Sequence, residues 1–225
     1  MGDRLKLDQI DSTAKGLGLG EPTGIELYEA LGHRANPETK AKLYTGENAK
    51  WYQGDQVVAS IGQSENKFTP IQLCSYVTTL VNQGTRYKAT FLDRVVSSDY
   101  RSVFLESSVQ IQSKMEISDA AHQAVAEGMR KVANVSGGTA YKTFKDYPIT
   151  VCAKTGTAQT GIPNTSDNGA FVCYAPAEDP QIAIVVYGEK AGHGSSLGEV
   201  AKAILDSYFG LGSGSTQITG ENQVN

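Results

Sequence analysis

The sequence has little from which to build metal or redox chemistry: its 225 positions include three cysteines, three histidines and one tryptophan. Cys74, Cys152 and Cys173 fit no CxxC or zinc spacing. All three fall in apolar-periodic segments, so buried structural thiols are expected. His33, His122 and His193 do not group with carboxylates at ligand spacing, so neither a metal nor a cofactor is expected. No apolar run approaches the ~20 residues of a membrane span. The first residues lack the apolar stretch of a signal peptide, so any leader or anchor is expected upstream in a longer parent. A net charge of −4, with no Lys/Arg cluster, argues against a nucleic-acid surface. What remains is 40% hydrophobic and 20% charged, the composition of a folded domain with a core.

Periodicity predicts a helix over 3–17, ended by Gly16, Gly18 and Gly20. Residues 21–54, with Pro22, Pro37 and several glycines, read as one long loop. Thr69 and Pro70 supply the cap and first position of a helix running to residue 83. Segments 91–96 and 110–113 read as the two strands of a small hairpin. Ser118 caps a helix over 119–132, with Ala121, Val125, Met129 and Val132 inward, which Ser136-Gly137-Gly138 breaks. Three strand-like runs follow, at 149–159, 169–175 and 181–189. The third is apolar enough at 182–186 to suit a central strand covered on both faces. A closing helix over 198–208 has Val200, Ala203, Ile204 and Tyr208 as its apolar positions. The Gly/Ser/Thr/Asn-rich stretch 210–225 reads as a flexible tail. Helices, a strand meander and a last helix point to an α+β layered fold with an antiparallel sheet flanked by helices.

Lys154-Thr155-Gly156-Thr157 lies inside the first of those three strands. The triplet Lys-Thr-Gly alone is a weak signal, arising by chance in on the order of one chain in ten of this size. An ordinary strand with a surface lysine and a glycine bulge would account for it. The chemical reading is sharper. A glycine on an edge strand lets a ligand approach the backbone. The lysine adds positive charge, and hydroxyls at alternate positions can bind a carboxylate. Unpaired N–H groups of an edge can hold a developing oxyanion.

The surroundings give the motif a family. The blocks Gly18-Leu19-Gly20, Thr23-Gly24-Ile25-Glu26-Leu27, Ile61-Gly62-Gln63-Ser64-Glu65-Asn66 and Thr69-Pro70-Ile71-Gln72-Leu73 occur in order. Gly137-Gly138-Thr139-Ala140, Val151 to Gln159 and Tyr174-Ala175-Pro176-Ala177 with Asp179-Pro180 follow them. Together they resemble class B penicillin-binding proteins over residues 2–209, as the C-terminal part of the transpeptidase domain. That family combines Ser-x-x-Lys, a Ser-Asp-Asn-type block and Lys-Thr-Gly. The resemblance implies a peptidoglycan D,D-transpeptidase of cell shape or division, which attacks D-Ala-D-Ala stem peptides through a serine ester and is acylated by β-lactams. It implies an extracytoplasmic parent anchored to the cell membrane. Lys154 would orient the catalytic hydroxyl and lysine network. Thr155 and Thr157, flanking Gly156, would bind the substrate carboxylate, and the Thr157 N–H would be one oxyanion donor. Ala153 replaces a frequent family glycine and Ser64 a usual one; neither change removes a reacting group.

The nucleophile is expected outside this sequence. Ser12-Thr13-Ala14-Lys15 has the right spacing but falls in a block that the family places after both serine motifs. Ser64-Glu65-Asn66-Lys67 belongs to a different block, and Ser166-Asp167-Asn168 follows Lys-Thr-Gly instead of preceding it. The chain alone is therefore expected to be inactive. The family's sheet also uses N-terminal strands and a helix, so the resemblance implies that this stretch by itself leaves an apolar sheet edge uncovered, which invites association. Two other functions are compatible with the strand motif: a β-lactam-sensing or β-lactam-hydrolysing relative, and a non-catalytic binding module.

Overall fold

The computed structural model of the chain describes residues 5–212. The first four positions, and 213–225 of the expected tail, lie outside the described residues. Among the described residues no helix is long and apolar enough to cross a membrane. The architecture is α+β. It divides into two compact units, Met1–Gln123 and Ala124–Asn225, and the division falls within one helix.

In the first unit α1 (Leu7–Gly16) ends where Gly18 and Gly20 take positive φ. The region read as one long loop instead holds α2 (Pro37–Leu43), a 3-10 turn (Gly46–Ala49) and the start of α3 (Gln53–Ser60). Polar contacts hold these short helices where no apolar stripe could. The Asn36 side chain accepts the Thr39 N–H at 2.8 Å and caps α2. Asp55 accepts from Lys40 Nζ at 2.6 Å and from the Tyr52 N–H at 2.7 Å, tying α2 to α3. α4 (Pro70–Val81) is capped as expected: the Thr69 hydroxyl accepts the Gln72 N–H, and the Gln72 side chain accepts the Thr69 N–H.

Segments 91–96 and 110–113 do contain strands, but they do not pair with each other. β1 (Thr85–Tyr87) pairs with β4 (Ile111–Lys114), and β2 (Arg94–Val96) pairs with β3 (Val103–Glu106). The reason is a tight turn just after β2. The Tyr100 N–H donates to the Ser97 carbonyl at 2.9 Å and the Ser97 N–H to the Ser102 carbonyl at 2.8 Å, so the chain folds straight back.

Residues 21–35 are irregular yet fixed. Glu29 accepts from the Thr23 hydroxyl (2.6 Å), the Thr23 N–H (2.8 Å) and the Gly24 N–H (3.0 Å). Burial works to raise this carboxyl, but the Thr23 and Gly24 donors outweigh it and hold the pKa below its ordinary 4.5. A depressed carboxylate contributes stability above its unfolded pKa and loses it as pH falls through the native value. Glu29→Gln is expected to cost about 1–2 kcal/mol at pH 7. The gap should narrow as pH falls below the ordinary 4.5 and close once pH is below the depressed native value, as read from denaturant melts at several pH values. A gap independent of pH would remove the carboxylate from the explanation.

The helix in which the division falls, α5 (Asp119–Asn134), is capped by Ser118, whose hydroxyl accepts the Ala121 N–H at 3.3 Å. Its buried residues are Met129 and Ala133, while the expected inward Ala121 and Val125 are exposed. The covered part of α5 is its C-terminal half, where Asn134 donates to the Val151 carbonyl at 2.7 Å. A one-turn helix, α6 (Tyr141–Phe144), follows. β5 (Cys152–Ala158), β6 (Asn168–Ala175) and β7 (Ile182–Gly188) form an antiparallel sheet in that order. The apolar β7 is thus an edge of this sheet and β6 is its centre, against expectation.

Ala153, Cys173 and Ile184 stand in register across one face. α7 (Gly198–Tyr208) lays Ala201 and Leu205 on that face. Val200, Ile204 and Tyr208, among the apolar positions read from the sequence, are exposed. Phe144 stacks on Phe171 with ring centroids 6.1 Å apart. Beyond α7 the Leu211 N–H still donates to the Asp206 carbonyl at 2.8 Å.

Candidate active site

The Lys-Thr-Gly-Thr run lies on β5, which among the described residues has β6 on one side and no strand on the other. Its pairing is regular: Lys154 opposite Val172, Thr155 opposite Phe171, Gly156 opposite Ala170 and Thr157 opposite Gly169. In an antiparallel edge strand alternate N–H and C=O groups point away from the partner, which leaves a row of backbone donors for a ligand. Residues also alternate between faces, so Ala153, Thr155 and Thr157 share one face and Lys154 and Gly156 the other. Ala153 is fully buried in the core, so the two threonines continue the core face to where its covering stops. The Lys154 ammonium is exposed and donates back to the Thr155 carbonyl.

Two groups outside β5 complete the site. The loop after α5 brings the Thr139 hydroxyl to 2.9 Å from that of Thr155. A 3-10 turn after β7 (Gly194–Leu197) brings the Gly194 N–H to 3.5 Å from Thr157 Oγ1. Gly194 lies directly against the strand pair: a Cβ there would sit 2.3 Å from the Gly156 carbonyl and 2.2 Å from that of Ala170. At Gly156 itself a Cβ would meet only Ala170, at an ordinary 3.5 Å from its Cβ and 3.8 Å from its carbonyl oxygen. The glycine in the motif therefore leaves an open backbone approach on the strand, while Gly194 is required by packing behind it. Sequence reasoning singled out neither Thr139 nor Gly194 as a site residue. The Gly137-Gly138-Thr139-Ala140 run was the available signal for Thr139, and it read as a helix breaker and as one block of the family resemblance, with no role for the Thr139 hydroxyl.

The other candidates have local structural roles. Cys152 begins β5, but its Sγ points to the Ala126 carbonyl at 3.8 Å and burial pushes its thiol up, which disfavours a nucleophilic thiolate. Ser12 donates to the Gln9 carbonyl of its own helix at 3.2 Å. Ser64 has positive φ and donates to the neighbouring Glu65 carboxylate. Asn168, in the Ser-Asp-Asn look-alike, begins β6, and its side chain accepts the Lys190 N–H at 2.9 Å. The Asp167 carbonyl takes the Gly192 N–H at 2.8 Å, so that tripeptide anchors the turn leading to Gly194.

Comparison with known proteins gives this geometry a context. Residues 1–206 match the family profile described as penicillin binding protein transpeptidase domain. The peptidoglycan D,D-transpeptidase MrdA of Haemophilus influenzae is 31% identical over 220 residues, covering 90% of this chain and 33% of that protein. Among solved structures, Pseudomonas aeruginosa PBP2 in complex with WCK 5153 superposes with a TM-score of 0.78 at 26% identity, covering 95% of this chain and 46% of the other. Helicobacter pylori PBP2, in its complex with MreC, gives 0.74 at 26% identity, covering 94% and 37%. The chain thus spans about a third of the length of the curated relative it matches.

Proposed function

This chain belongs to the penicillin-binding protein transpeptidase family, and from that premise we propose that it forms the substrate-carboxylate side of a serine D,D-transpeptidase site. The observation that carries the reading is the open edge of β5, with two threonine hydroxyls on one face and a glycine between them. In the full-length protein a serine hydroxyl attacks the penultimate carbonyl of a D-Ala-D-Ala stem. The terminal D-Ala leaves as the amine and takes the proton. An amine of a neighbouring stem then displaces the serine from the ester, and the cross-link serves cell shape or division. β-Lactams acylate the same serine. Thr155 and Thr157 hold the carboxylate of either ligand, and the Thr157 N–H is one oxyanion donor. Lys154 adds positive charge and orients the catalytic network. The full-length protein works outside the cytoplasm, anchored to the membrane.

Labelling with a fluorescent penicillin tests the reading. The full-length protein should take up one equivalent per chain. Thr157→Val should slow acylation roughly 10- to 100-fold, the cost of a hydrogen bond to a charged group. A polypeptide of these 225 residues alone should give no adduct by intact mass, since Ser12 and Ser64 are committed to local partners. An adduct on either serine would overturn the assignment. Rapid multiple-turnover hydrolysis of the penicillin would replace the transpeptidase with a hydrolase.

A further inference from the structure

The Gly137-Gly138-Thr139 loop is a motif that the proposed function leaves unexplained. It follows α5, where Gly137 takes φ +90°. Gly138 packs so closely on the helix end that a Cβ would sit 2.3 Å from the Val132 carbonyl and 2.6 Å from that of Lys131. The Gly138 N–H donates to the Val135 carbonyl at 2.9 Å and the Ala140 N–H to that of Val132 at 3.1 Å, which locks the loop on both sides of Thr139. The result is one side-chain contact: Thr139 Oγ1 lies 2.9 Å from Thr155 Oγ1.

We propose that Thr139 is a positioning residue whose hydroxyl donates to Thr155 Oγ1, leaving the Thr155 proton free to point at a ligand carboxylate. The inference rests on the carboxylate-binding reading of β5. A hydroxyl has one proton and two lone pairs. If Thr155 gave its proton to Thr139, its lone pairs would face the anion and repel it. With Thr139 as donor, the order becomes Thr139 to Thr155 to carboxylate, in which each bond polarises the next. Thr139 is exposed, so its own lone pairs remain in water and need no protein donor. Because β5 is an edge, the second hydroxyl has to come from outside the sheet, and the double-glycine loop delivers it.

The test compares benzylpenicillin with its methyl ester in acylation of the full-length protein. Thr139→Val should lower the acylation efficiency for the acid roughly 3- to 10-fold, the loss of one neutral hydrogen bond. The ester should react with variant and wild type alike. Thr139→Ser should restore the wild-type value, and Thr139→Ala, which adds no methyl, should behave as the valine variant does. Slowing of acid and ester together would make Thr139 merely structural and overturn the proposal, as would no change with either ligand. If Thr155→Val also fails to separate acid from ester, the carboxylate role of β5 itself falls, a distinguishable failure.

Discussion

Gly194→Ala should both destabilise the protein and disable the site. The added Cβ would lie 2.2 Å from the Ala170 carbonyl oxygen and 2.3 Å from that of Gly156, where contacts under 3.0 Å force something to move. Both obstacles are backbone atoms of a regular ladder, so no side chain can swing aside. Relief requires a shift of about 1 Å in the turn or in β5. Overpacking of this kind costs about 1–3 kcal/mol, and the upper end is expected because the clash is with two hydrogen-bonded strands. The catalytic effect should be comparable, since a 1 Å misplacement of a reacting group costs roughly 100-fold in rate, or about 2.7 kcal/mol. Gly156→Ala is the contrasting case, because its Cβ meets only ordinary contacts, at 3.5 Å and 3.8 Å. It should melt with the wild type while obstructing ligand approach. Denaturant melts and penicillin acylation on both variants of the full-length protein check the pair. Wild-type stability in Gly194→Ala would show that the turn yields freely and that Gly194 does not hold β5.

Gln72→Leu should produce a large stability loss in the first unit. Gln72 is completely buried, an unusual state for its type. Its Nε2 donates to the Glu21 carbonyl at 2.9 Å and to the Leu31 carbonyl at 2.8 Å, and its Oε1 accepts the Thr69 N–H at 3.2 Å. Leucine matches the volume but leaves these carbonyls without their donor. At about 1–3 kcal/mol for each unsatisfied buried group, the expected cost for the two carbonyls is about 2–6 kcal/mol. Gln72→Glu keeps the shape and can still accept from Thr69, yet it directs an anion at two carbonyl oxygens. Its destabilisation should ease as pH falls, because a protonated carboxyl regains one donor. Thermal and denaturant unfolding at two pH values check both variants. A leucine variant as stable as wild type would mean that water reaches those carbonyls.

These variants also mark where the sequence could and could not be read. α4, α5, α7 and the three strands of the sheet were legible because their signals are local. Thr69 and Pro70 open α4, Ser118 opens α5, and apolar alternation runs through β5 and β6. The edge position of Lys154 to Thr157 followed from one strand succeeded by two more. α2 and α3 were illegible because their stabilising contacts join residues far apart: Lys40 with Asp55, and Asn66 with the Ala35 N–H. The pairing of β4 with β1 was hidden for the same reason, and β3 has no buried face to give alternation. β7 looked central because apolar composition records how much is covered, not which neighbour covers it. At the site, the motif identified β5 but could not show that Thr139 and Gly194, from opposite sides in sequence, close on it.

The simple order β5-β6-β7 carries a consequence for how the second unit forms. Each strand pairs with its neighbour in sequence, and the capping turn and α7 follow at once. Short sequence separation between partners means little loop-closure entropy is lost before contacts are made, and such topologies fold fast. The ladder bearing Lys154 to Thr157 can therefore zip up as soon as its last strand leaves the ribosome, with no wait for distant segments. Its pairs also lie in continuous one-to-one register from Cys152 opposite Tyr174 to Ala158 opposite Asn168. A slip of one residue would turn Ala153 out of the core and Lys154 into it, so misregistered intermediates are disfavoured from the first contacts.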